Sequence, residues 1–288
     1  MVNDKMINDI DLSAWTKVGE GGFGTTYINE KEPNIILKIS HNSDGQIEDM
    51  SNEFYASRAV YELGAPTPEM IEMVRVGGGI GIKSEQIKNK KSLARMCSDN
   101  PADIDRLAAR AAELVKQLHK IDASGKEWLP SNKAIMLEAL AKTKILRGKK
   151  LNEVMAFVEG LDDSPKLLHG DLSLGNLIFS LPEEKPYWID LGRAAHGVPM
   201  FDIGHLYLFC NIFSKQKRVH ELTHMSEEQI VQFWNSFALA YNGSDGLEAF
   251  TTECKRFAAL DVVLITYTHP VNWHQRLFLG LLAKSMFK

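Results

Sequence analysis

The spacing of apolar residues changes near residue 89 from a strand pattern to a helix pattern. Before it, short runs of β-branched and aromatic residues between glycine and proline turns predict about five antiparallel strands. A single helix, closed by Gly64, is predicted among them over about Gln46 to Leu63. The predicted strands are Trp15 to Gly19, Thr25 to Ile28, Ile35 to Ile39, Met70 to Val76 and Ile80 to Ile87.

After residue 89 the apolar residues recur mainly at three and four positions, which predicts helices. Asp99-Asn100-Pro101 offers a cap and an initial proline for a helix that ends near Ile121. Further helices are predicted over 131–161 and from about residue 202 to the end, with a strand pair, 177–179 and 187–190, between them. The chain is therefore predicted to be an α+β protein, with a small, strand-rich lobe over 1–87 and a larger, mainly helical lobe over 88–288.

Composition excludes several classes of protein. The 288 residues are 44% apolar and 24% charged, as in an ordinary globular protein. A net charge of −4 gives no electrostatic reason to expect nucleic acid or an anionic membrane as a partner. Three scattered cysteines without a C-x-x-C indicate neither a disulfide framework nor a zinc site. The start lacks a signal-peptide pattern and no apolar run reaches the ~18 residues of a membrane span, so a cytoplasmic enzyme is expected.

The stretch from Leu167 to Asn176 (L-L-H-G-D-L-S-L-G-N) carries the candidate chemistry. Its apolar start predicts a strand, and the polar loop that follows holds Asp171 and Asn176. A second apolar strand ends in Asp190. Phosphoryl transfer needs a carboxylate to accept the proton of the attacking hydroxyl and oxygen ligands to hold magnesium on the phosphates. We therefore predict Asp171 as the base, with Asn176 and Asp190 as magnesium ligands.

A glycine-rich segment lies between the first two predicted strands. Its residues are Gly19, Glu20, Gly21, Gly22, Phe23 and Gly24. A G-x-G-x-x-G segment opens a helix in dinucleotide-binding folds, but here β-branched and aromatic residues follow Gly24. A strand-loop-strand structure that covers nucleotide phosphates, as in kinases, is the better interpretation. A hairpin without a ligand is the alternative.

Lys38 lies inside the apolar strand I-I-L-K-I, where an unpaired ammonium would be costly to bury. Glu53 shares a predicted helix face with apolar residues, whereas Glu48 lies on a more polar face. We therefore predict that Glu53 pairs with Lys38, which then holds nucleotide phosphates; a solvated surface glutamate is the alternative. By position, 84–88 is the predicted hinge, where Glu85 and Ile87 would receive the nucleotide base.

These motifs in this order resemble the aminoglycoside phosphotransferase and choline-kinase-like family. The resemblance rests on H-G-D with Asn176, on I-D-L-G at 189–192 and on F-D-I-G at 201–204, together with the glycine loop, Lys38 and Glu53. It implies a bilobal protein-kinase-like fold, with 1–87 as the nucleotide-binding lobe and 88–288 as the catalytic and acceptor-binding lobe. It also implies transfer of the γ-phosphate of ATP or GTP, with Mg²⁺, to a small-molecule hydroxyl. It also implies that His169 braces the catalytic loop and that Asp202 is a buried support of that loop.

The acceptor is less constrained by the sequence. Beyond Asp261 the chain has no Asp or Glu, although polycationic acceptors are expected to need carboxylates. The carboxylates that stay candidates for such an acceptor are Asp245, Glu248, Glu253 and Asp261. A sugar or an amino alcohol is therefore considered, with Trp273 either stacking on the acceptor or, as most aromatic residues in helices do, packing in the core. Two other functions stay open: a nucleotide-binding switch without transfer activity, and a protein kinase. Gly170, where protein kinases carry arginine, and Leu191, where they carry phenylalanine, disfavour the latter.

Overall fold

A computed structural model describes residues 7–20, 24–40, 46–77 and 79–287, with the side chains of 46–49 left aside. The predicted glycine-loop residues Gly21, Gly22 and Phe23 lie outside the described residues. Contacts divide the chain into two compact units. The first comprises Met1–Lys91 and Leu177–Ala194, and the second comprises Ser92–Asn176 and Ala195–Lys288. The segment 177–194 thus packs with the amino-terminal residues, whereas the predicted division at residue 87 placed it with the carboxy-terminal lobe. The functional division into lobes stays a prediction.

The first unit is built on a sheet of six strands in the order β1-β5-β6-β4-β3-β2, all antiparallel except β1, which is parallel to β5. The short β1 was not predicted, because two polar residues carry no strand pattern. The strands are β1 (Asn8–Asp9), β2 (Thr16–Glu20), β3 (Gly24–Ile28), β4 (Ile35–Ser40), β5 (Met70–Val76) and β6 (Gly79–Glu85).

Both faces of this sheet are covered by apolar side chains. Helix α1 (Gln46–Glu62) buries Met50 and Phe54 against Met73 and Ile82, and its chain turns at Gly64, whose φ is +82°. The opposite face holds a second cluster around Leu37, Val74 and Val76. Alternating side chains therefore cover both faces of the sheet, as the strand pattern predicted.

A second sheet of the first unit has the order β10-β9-β7. Its strands are β7 (Lys90–Ser92), β9 (Leu177–Ser180) and β10 (Lys185–Trp188). The antiparallel pair β9 and β10 confirms the predicted strand pair. The chain leaves β10 directly into Asp190, so this pair sets the position of that carboxylate within the unit.

The second unit is mainly helical. Its elements are α2 (Leu93–Asp99), α3 (Ile104–Leu118), α4 (Asn132–Lys142), α5 (Gly148–Glu159), β8 (Leu167–Leu168), β11 (Ala195–His196), α6 (Met200–Asn211), α7 (Lys217–Thr223), α8 (Glu227–Asn242), α9 (Leu247–Thr268) and α10 (Trp273–Met286). Strand β8 pairs with β11, and this pairing places the loop from His169 to Asn176 next to the start of α6. This architecture confirms the predicted α+β fold with a helical carboxy-terminal part.

Two helix boundaries differ from the prediction. The predicted cap at Asp99-Asn100-Pro101 is the end of α2 followed by a 3₁₀ turn at Pro101–Asp103, and Asn100 makes no side-chain cap bond. The predicted helical region 131–161 is broken between α4 and α5, where Gly148 has a φ of +57°. Pro101 begins the 3₁₀ turn and Gly148 begins α5, and the apolar periodicity alone shows neither of these breaks.

Helix α6 approaches α9 most closely at Gly204. A Cβ atom at this position would lie 2.4 Å from Phe257 Cβ and 2.7 Å from the Phe257 backbone carbon. Only glycine fits between the two helices here, so the F-D-I-G segment has a packing reason for its glycine. This approach also sets the distance between the next residue of α6 and α9.

Within the described ranges, no helix combines the length and the apolar character needed to cross a membrane.

Candidate active site

The loop that follows β8 has a backbone that its sequence explains. His169 is fully buried, and Gly170 has a φ of +78°, a left-handed conformation that favours glycine. The backbone N–H of Asp171 donates to His169 Nδ1 over 3.3 Å. The imidazole thus holds the amide two residues further on, in agreement with the bracing role that the family resemblance implied.

Asp202 supports the same loop from α6. Its carboxylate accepts the backbone N–H of His169 at 2.7 Å and that of Gly170 at 2.9 Å. His119 Nε2 lies 3.0 Å from the same carboxylate, and its Nδ1 lies 3.2 Å from the Tyr241 hydroxyl. Burial alone would raise the pKa of Asp202, but His119 and the backbone amide lower it below its ordinary value. Asp202 therefore supports the loop, and His119, the C-cap residue of α3, is part of this support.

Asp171, the predicted base, is 38% exposed and has hydrogen-bond partners on both carboxylate oxygens. Asn176 Nδ2 donates to Asp171 Oδ2 over 2.9 Å and to the Asp171 carbonyl over 2.8 Å. The second partner is His205, whose Nε2 lies 3.2 Å from Asp171 Oδ1. The carboxylate is thus accessible and oriented at the same time, as a general base must be.

His205 was not predicted from the sequence. Its Nδ1 lies 2.9 Å from Asp261 Oδ2, so the ring stands between two carboxylates. Burial alone would lower the pKa of His205, but Asp261 and Asp171 raise it to about 10. Two signals could have identified this residue: it follows Asp202 by three positions on one helix face, and Asp261 is a lone acid inside the apolar stretch 257–265.

In the first unit the structure brings together Lys38, Glu53 and Asp190. Lys38 Nζ lies 2.7 Å from Glu53 Oε1, which confirms the predicted ion pair, and 2.9 Å from Asp190 Oδ1. Burial would lower the pKa of Lys38, but the two carboxylates outweigh it and raise the pKa above its ordinary value. Lys38 is therefore a permanent cation held between a helix carboxylate and the carboxylate that follows β10.

The backbone at Asp190 is unusual for a residue with a side chain, since its φ is +57°. Left-handed conformations are rare outside glycine, although aspartate tolerates them better than most residues. Its side chain is 45% exposed despite the ion pair with Lys38. Gly192 follows, and a Cβ there would lie 3.4 Å from the Glu53 Cα, so the I-D-L-G segment runs close to α1. Strained backbone of this kind is common at functional sites.

The two ends of the glycine-rich segment lie on strands. Gly19 belongs to β2 and Gly24 begins β3. A Cβ at Gly24 would lie 2.5 Å from the Ile39 carbonyl oxygen, and one at Gly19 would lie 2.8 Å from Thr26 Oγ1. Strand packing thus explains these two glycines. The predicted strand-loop-strand order is confirmed by the antiparallel pair β2 and β3.

The predicted hinge residues lie at the end of β6. The Glu85 N–H donates to the Glu69 carbonyl over 2.9 Å, and the Gln86 N–H donates to the Asn34 carbonyl over 2.8 Å. The Ile87 side chain packs in a cluster with Ile178, Tyr187 and Ile189, all of the first unit. Two hinge amides are therefore already bonded within the protein, and Ile87 contributes an apolar surface.

The proposed ligands suit magnesium chemically. Asn176 uses its Nδ2 in both bonds to Asp171, which leaves its amide oxygen for a cation, and Asp190 offers an exposed carboxylate. Among the described residues, no three His, Cys, Asp or Glu side chains form a group that could hold a metal ion. Magnesium in phosphoryl transfer needs fewer protein ligands, because phosphates and water complete its shell. The Asn176 amide oxygen in the second unit and the Asp190 carboxylate in the first unit are each of a ligand type that magnesium takes.

The carboxy-terminal residues considered for the acceptor fall into two classes. Asp261 is buried and bonded to His205, whereas Asp245, Glu248 and Glu253 are exposed. Trp273 is 65% exposed, so the prediction that it packs in the core is wrong. It begins α10, whose exposed large apolar side chains also include Leu277, Phe278 and Leu281.

Comparison with known proteins gives three findings. The model of the phosphotransferase enzyme family (APH) matches residues 16–238. The acyl-CoA dehydrogenase family member 11 proteins of Pongo abelii and Homo sapiens are 24% and 23% identical over 208 residues. That match covers 65% of this chain but only 26% of those relatives' own length.

Solved structures share the fold at low sequence identity. The GDP complex of wild-type aminoglycoside 2′-phosphotransferase-IIIa is 18% identical, with a TM-score of 0.57, over 97% of this chain and 94% of that one. A thermostable mutant of aminoglycoside phosphotransferase APH(4)-Ia, in a ternary complex with ADP and hygromycin B, is 14% identical. Its TM-score is 0.59, over 96% of this chain and 93% of that one.

Proposed function

The chain belongs to the phosphotransferase enzyme family, and from this premise we propose that it transfers the γ-phosphate of ATP or GTP to a hydroxyl of a small molecule. The observation that carries the proposal is the state of Asp171. Its carboxylate is exposed, yet both of its oxygens have hydrogen-bond partners, on a loop whose backbone is held by His169 and Asp202. This is the arrangement that a base needs in order to meet an incoming hydroxyl in one orientation.

In the proposed reaction the acceptor hydroxyl attacks the γ-phosphorus while its proton passes to Asp171. The bond between the γ-phosphorus and the β–γ bridging oxygen breaks, and the nucleoside diphosphate leaves. Asn176 and Asp190 would hold magnesium, which would supply positive charge to the phosphates as negative charge shifts to the leaving group. These roles draw on both compact units, and each role is assigned from contacts within its own unit.

Lys38 would hold the nucleotide phosphates, with Glu53 keeping the ammonium in place. The 2.7 Å ion pair supports this role because it fixes a charged group inside a strand, close to the carboxylate proposed for magnesium. The glycine-rich segment from Gly19 to Gly24, with Gly21, Gly22 and Phe23 at its centre, would cover the phosphates from above. Oriented positive charge of this kind stabilises a transferring phosphoryl group.

The base of the nucleotide would bind at the hinge. The backbone amides of Glu85 and Gln86 are already hydrogen-bonded within the protein. We therefore assign binding of the nucleotide base to the Glu85 carbonyl and the Ile87 backbone. The apolar cluster around Ile87 supports a flat, uncharged ligand here. Proteins of the same fold in complex with GDP, ADP or AMP-PNP support a purine nucleotide as the donor.

For the acceptor we propose a neutral or weakly charged polyol or amino alcohol. Proteins of this fold have been solved with hygromycin B or kanamycin, which supports a small polar acceptor. In this chain Asp261, one of the carboxylates considered for a polycation, is occupied by His205. Residues 262–288 contain no Asp or Glu. The exposed Trp273 offers an aromatic face on which a sugar ring can stack.

The experiment that tests the proposal measures nucleoside diphosphate release from MgATP and MgGTP. The acceptor panel holds aminoglycosides, choline, ethanolamine, simple sugars and homoserine, with mass spectrometry of each product. Omission of acceptor and omission of magnesium are the controls. We expect acceptor-dependent release together with a phosphorylated product. Tight binding of MgATP without transfer to any hydroxyl compound would contradict the proposal and favour a nucleotide-binding switch, whereas transfer to peptides alone would indicate a protein kinase.

A further inference from the structure

His205 joins the proposed base to a second, buried carboxylate. Its Nε2 lies 3.2 Å from Asp171 Oδ1, and its Nδ1 lies 2.9 Å from Asp261 Oδ2. All three residues belong to the second compact unit: the loop after β8, helix α6 and helix α9. The sequence motif around Asp171, from Leu167 to Asn176, does not contain His205.

The geometry defines the protonation state of the ring. An ionised carboxylate only accepts hydrogen bonds, and a neutral imidazole has only one N–H to donate. Because a carboxylate oxygen faces each ring nitrogen, both bonds form only when both nitrogens carry a proton. The pKa of His205 agrees, since the two carboxylates outweigh burial and raise it to about 10. His205 is thus an imidazolium at neutral pH.

The position of the ring follows from the packing of α6 on α9. Gly204 lets α6 approach the backbone of Phe257, as described above, and Asp261 lies one helical turn beyond Phe257. The next residue of α6 therefore reaches the side chain of Asp261, which is itself buried. A lone acid in an apolar stretch of α9 is costly unless it is paired, and His205 supplies the pairing charge.

We propose that His205 is a positioning residue for phosphoryl transfer: anchored by Asp261, it fixes Oδ1 of Asp171 while Asn176 fixes Oδ2, so that the carboxylate faces the acceptor hydroxyl in one orientation. This inference rests on the proposed function, because it assigns a task to the base named there. It adds a chain of contacts, Asp261 to His205 to Asp171, that sets the orientation of the base from helix α9.

The alternative is that His205 only stabilises the fold. The two cases differ in what a substitution changes. A positioning residue acts through Asp171, so its loss lowers kcat and leaves the affinity for MgATP unchanged. Small misplacements of a catalytic group cost up to about 10²-fold in rate, and supporting residues of this kind typically cost about 10- to 100-fold. A merely structural residue would lower the melting temperature without a selective loss of kcat.

The first arm of the test needs no substrate. The full chain is labelled with ¹⁵N-histidine, and the ring resonances of His205 are assigned by their loss in His205→Gln. We expect both ring nitrogens of His205 to be protonated at pH 7–8 and to remain so until the pH approaches about 10. In Asp261→Asn the ring should become neutral at a lower pH, while Asp162→Asn, the same change at an exposed carboxylate, should have no effect. A neutral His205 ring at pH 7 would overturn the proposal.

The second arm compares turnover in His205→Gln and His205→Ala, with His274→Gln as the matched exposed-histidine control. Glutamine retains one N–H donor and alanine retains none, so we expect kcat to fall in the order wild type, Gln, Ala. The loss in alanine should be about 10- to 100-fold, with the Kd for MgATP within about twofold of the wild type. In an Asp171→Asn background the same substitutions should lower the residual rate less than about twofold, because the residue through which they act is already lost.

Equal losses in both backgrounds, or an unchanged kcat in His205→Ala, would overturn the positioning role. The circular dichroism spectrum and melting temperature of each variant show whether it is folded, and Asp261→Asn serves as the second variant if His205→Ala is not. Absence of transfer by the wild-type protein would refute the proposed function itself. The His205 resonances would still decide separately whether the imidazolium bridge exists.

Discussion

In each compact unit, a cation that lies between two carboxylates contacts a carboxylate with a proposed chemical role. In the first unit Lys38 stands between Glu53 of α1 and Asp190, and in the second His205 stands between Asp261 of α9 and Asp171. In both sets the helix carboxylate is the less exposed one, and the other carboxylate has a proposed chemical role. The two sets share one arrangement, in which the less exposed helix carboxylate holds a cation and this cation contacts the carboxylate with the proposed chemical role.

The two sets differ in the shape of the cation. A lysine ammonium is a compact charge on a flexible chain, and its three donors can turn from a carboxylate to a phosphate. An imidazolium has two donors that point in opposite directions and cannot turn independently. Lys38 is therefore suited to exchange partners when a nucleotide binds, whereas His205 is suited to hold Asp171 in one place throughout the reaction.

Of the three changes that test this comparison, removal of the exchangeable cation has the largest expected effect. Lys38→Met should lower kcat about 10²-fold, because one oriented positive charge on the transferring phosphoryl group is lost. Lys31→Met, at an exposed position of the same unit, is the control. The measurement is steady-state turnover with saturating MgATP. A Lys38→Met protein with a normal rate would mean that the first set is only structural, and the comparison would fail.

A smaller effect is expected at the carboxylate that Lys38 contacts. Asp190→Ala should remove the magnesium dependence of ATP binding and weaken affinity in the presence of magnesium about tenfold, as expected for a lost carboxylate ligand. Isothermal titration with and without Mg²⁺ measures both quantities. A magnesium dependence that survives the substitution would place the ion on other residues and would leave Asp190 as a counter-ion of Lys38 alone.

The smallest expected effect, counted per pH unit, is a pH dependence of stability from His205. Its folded pKa of about 10 lies above the ordinary value, so its contribution is complete below about pH 6.5 and is lost as the pH rises through about 10. The difference in unfolding free energy between wild type and His205→Gln should therefore shrink by about 1 kcal/mol per pH unit across this range. Urea unfolding at several pH values measures it, and a difference that does not change with pH would argue against the charged bridge.

The sequence predicted the pair of Lys38 with Glu53 in the first set, but it predicted neither the contact of Lys38 with Asp190 nor the second set. Lys38 drew attention because a charge interrupts an apolar strand, and Glu53 because it shares a helix face with apolar residues. Asp261 interrupts an apolar helix in the same way, but it was grouped with the exposed acids of the carboxy-terminal part. His205 lies next to Gly204, and only the close approach of α6 to α9 shows that its ring reaches Asp261.

The fold was predictable because its strands alternate and its helices repeat, as in β3 to β6 and in α3. Elements without such a pattern were missed: β1 has two polar residues, and α2 is a short helix that begins after the Ser92 cap. Trp273 was placed in the core on the tendency of aromatic residues, yet the helix that it begins leaves it exposed. Burial at a helix start depends on neighbouring elements, which a local pattern does not contain.

The central claim is that Asp171 receives the proton of the acceptor. The most direct measurement is the single-turnover rate of γ-phosphate transfer, with enzyme in excess of MgATP, for wild type, Asp171→Asn and the exposed control Asp162→Asn. We expect Asp171→Asn to be slower by about 10²-fold or more, with an unchanged Kd for MgATP, and Asp162→Asn to match the wild type. A transfer rate for Asp171→Asn within about threefold of the wild type would contradict the claim.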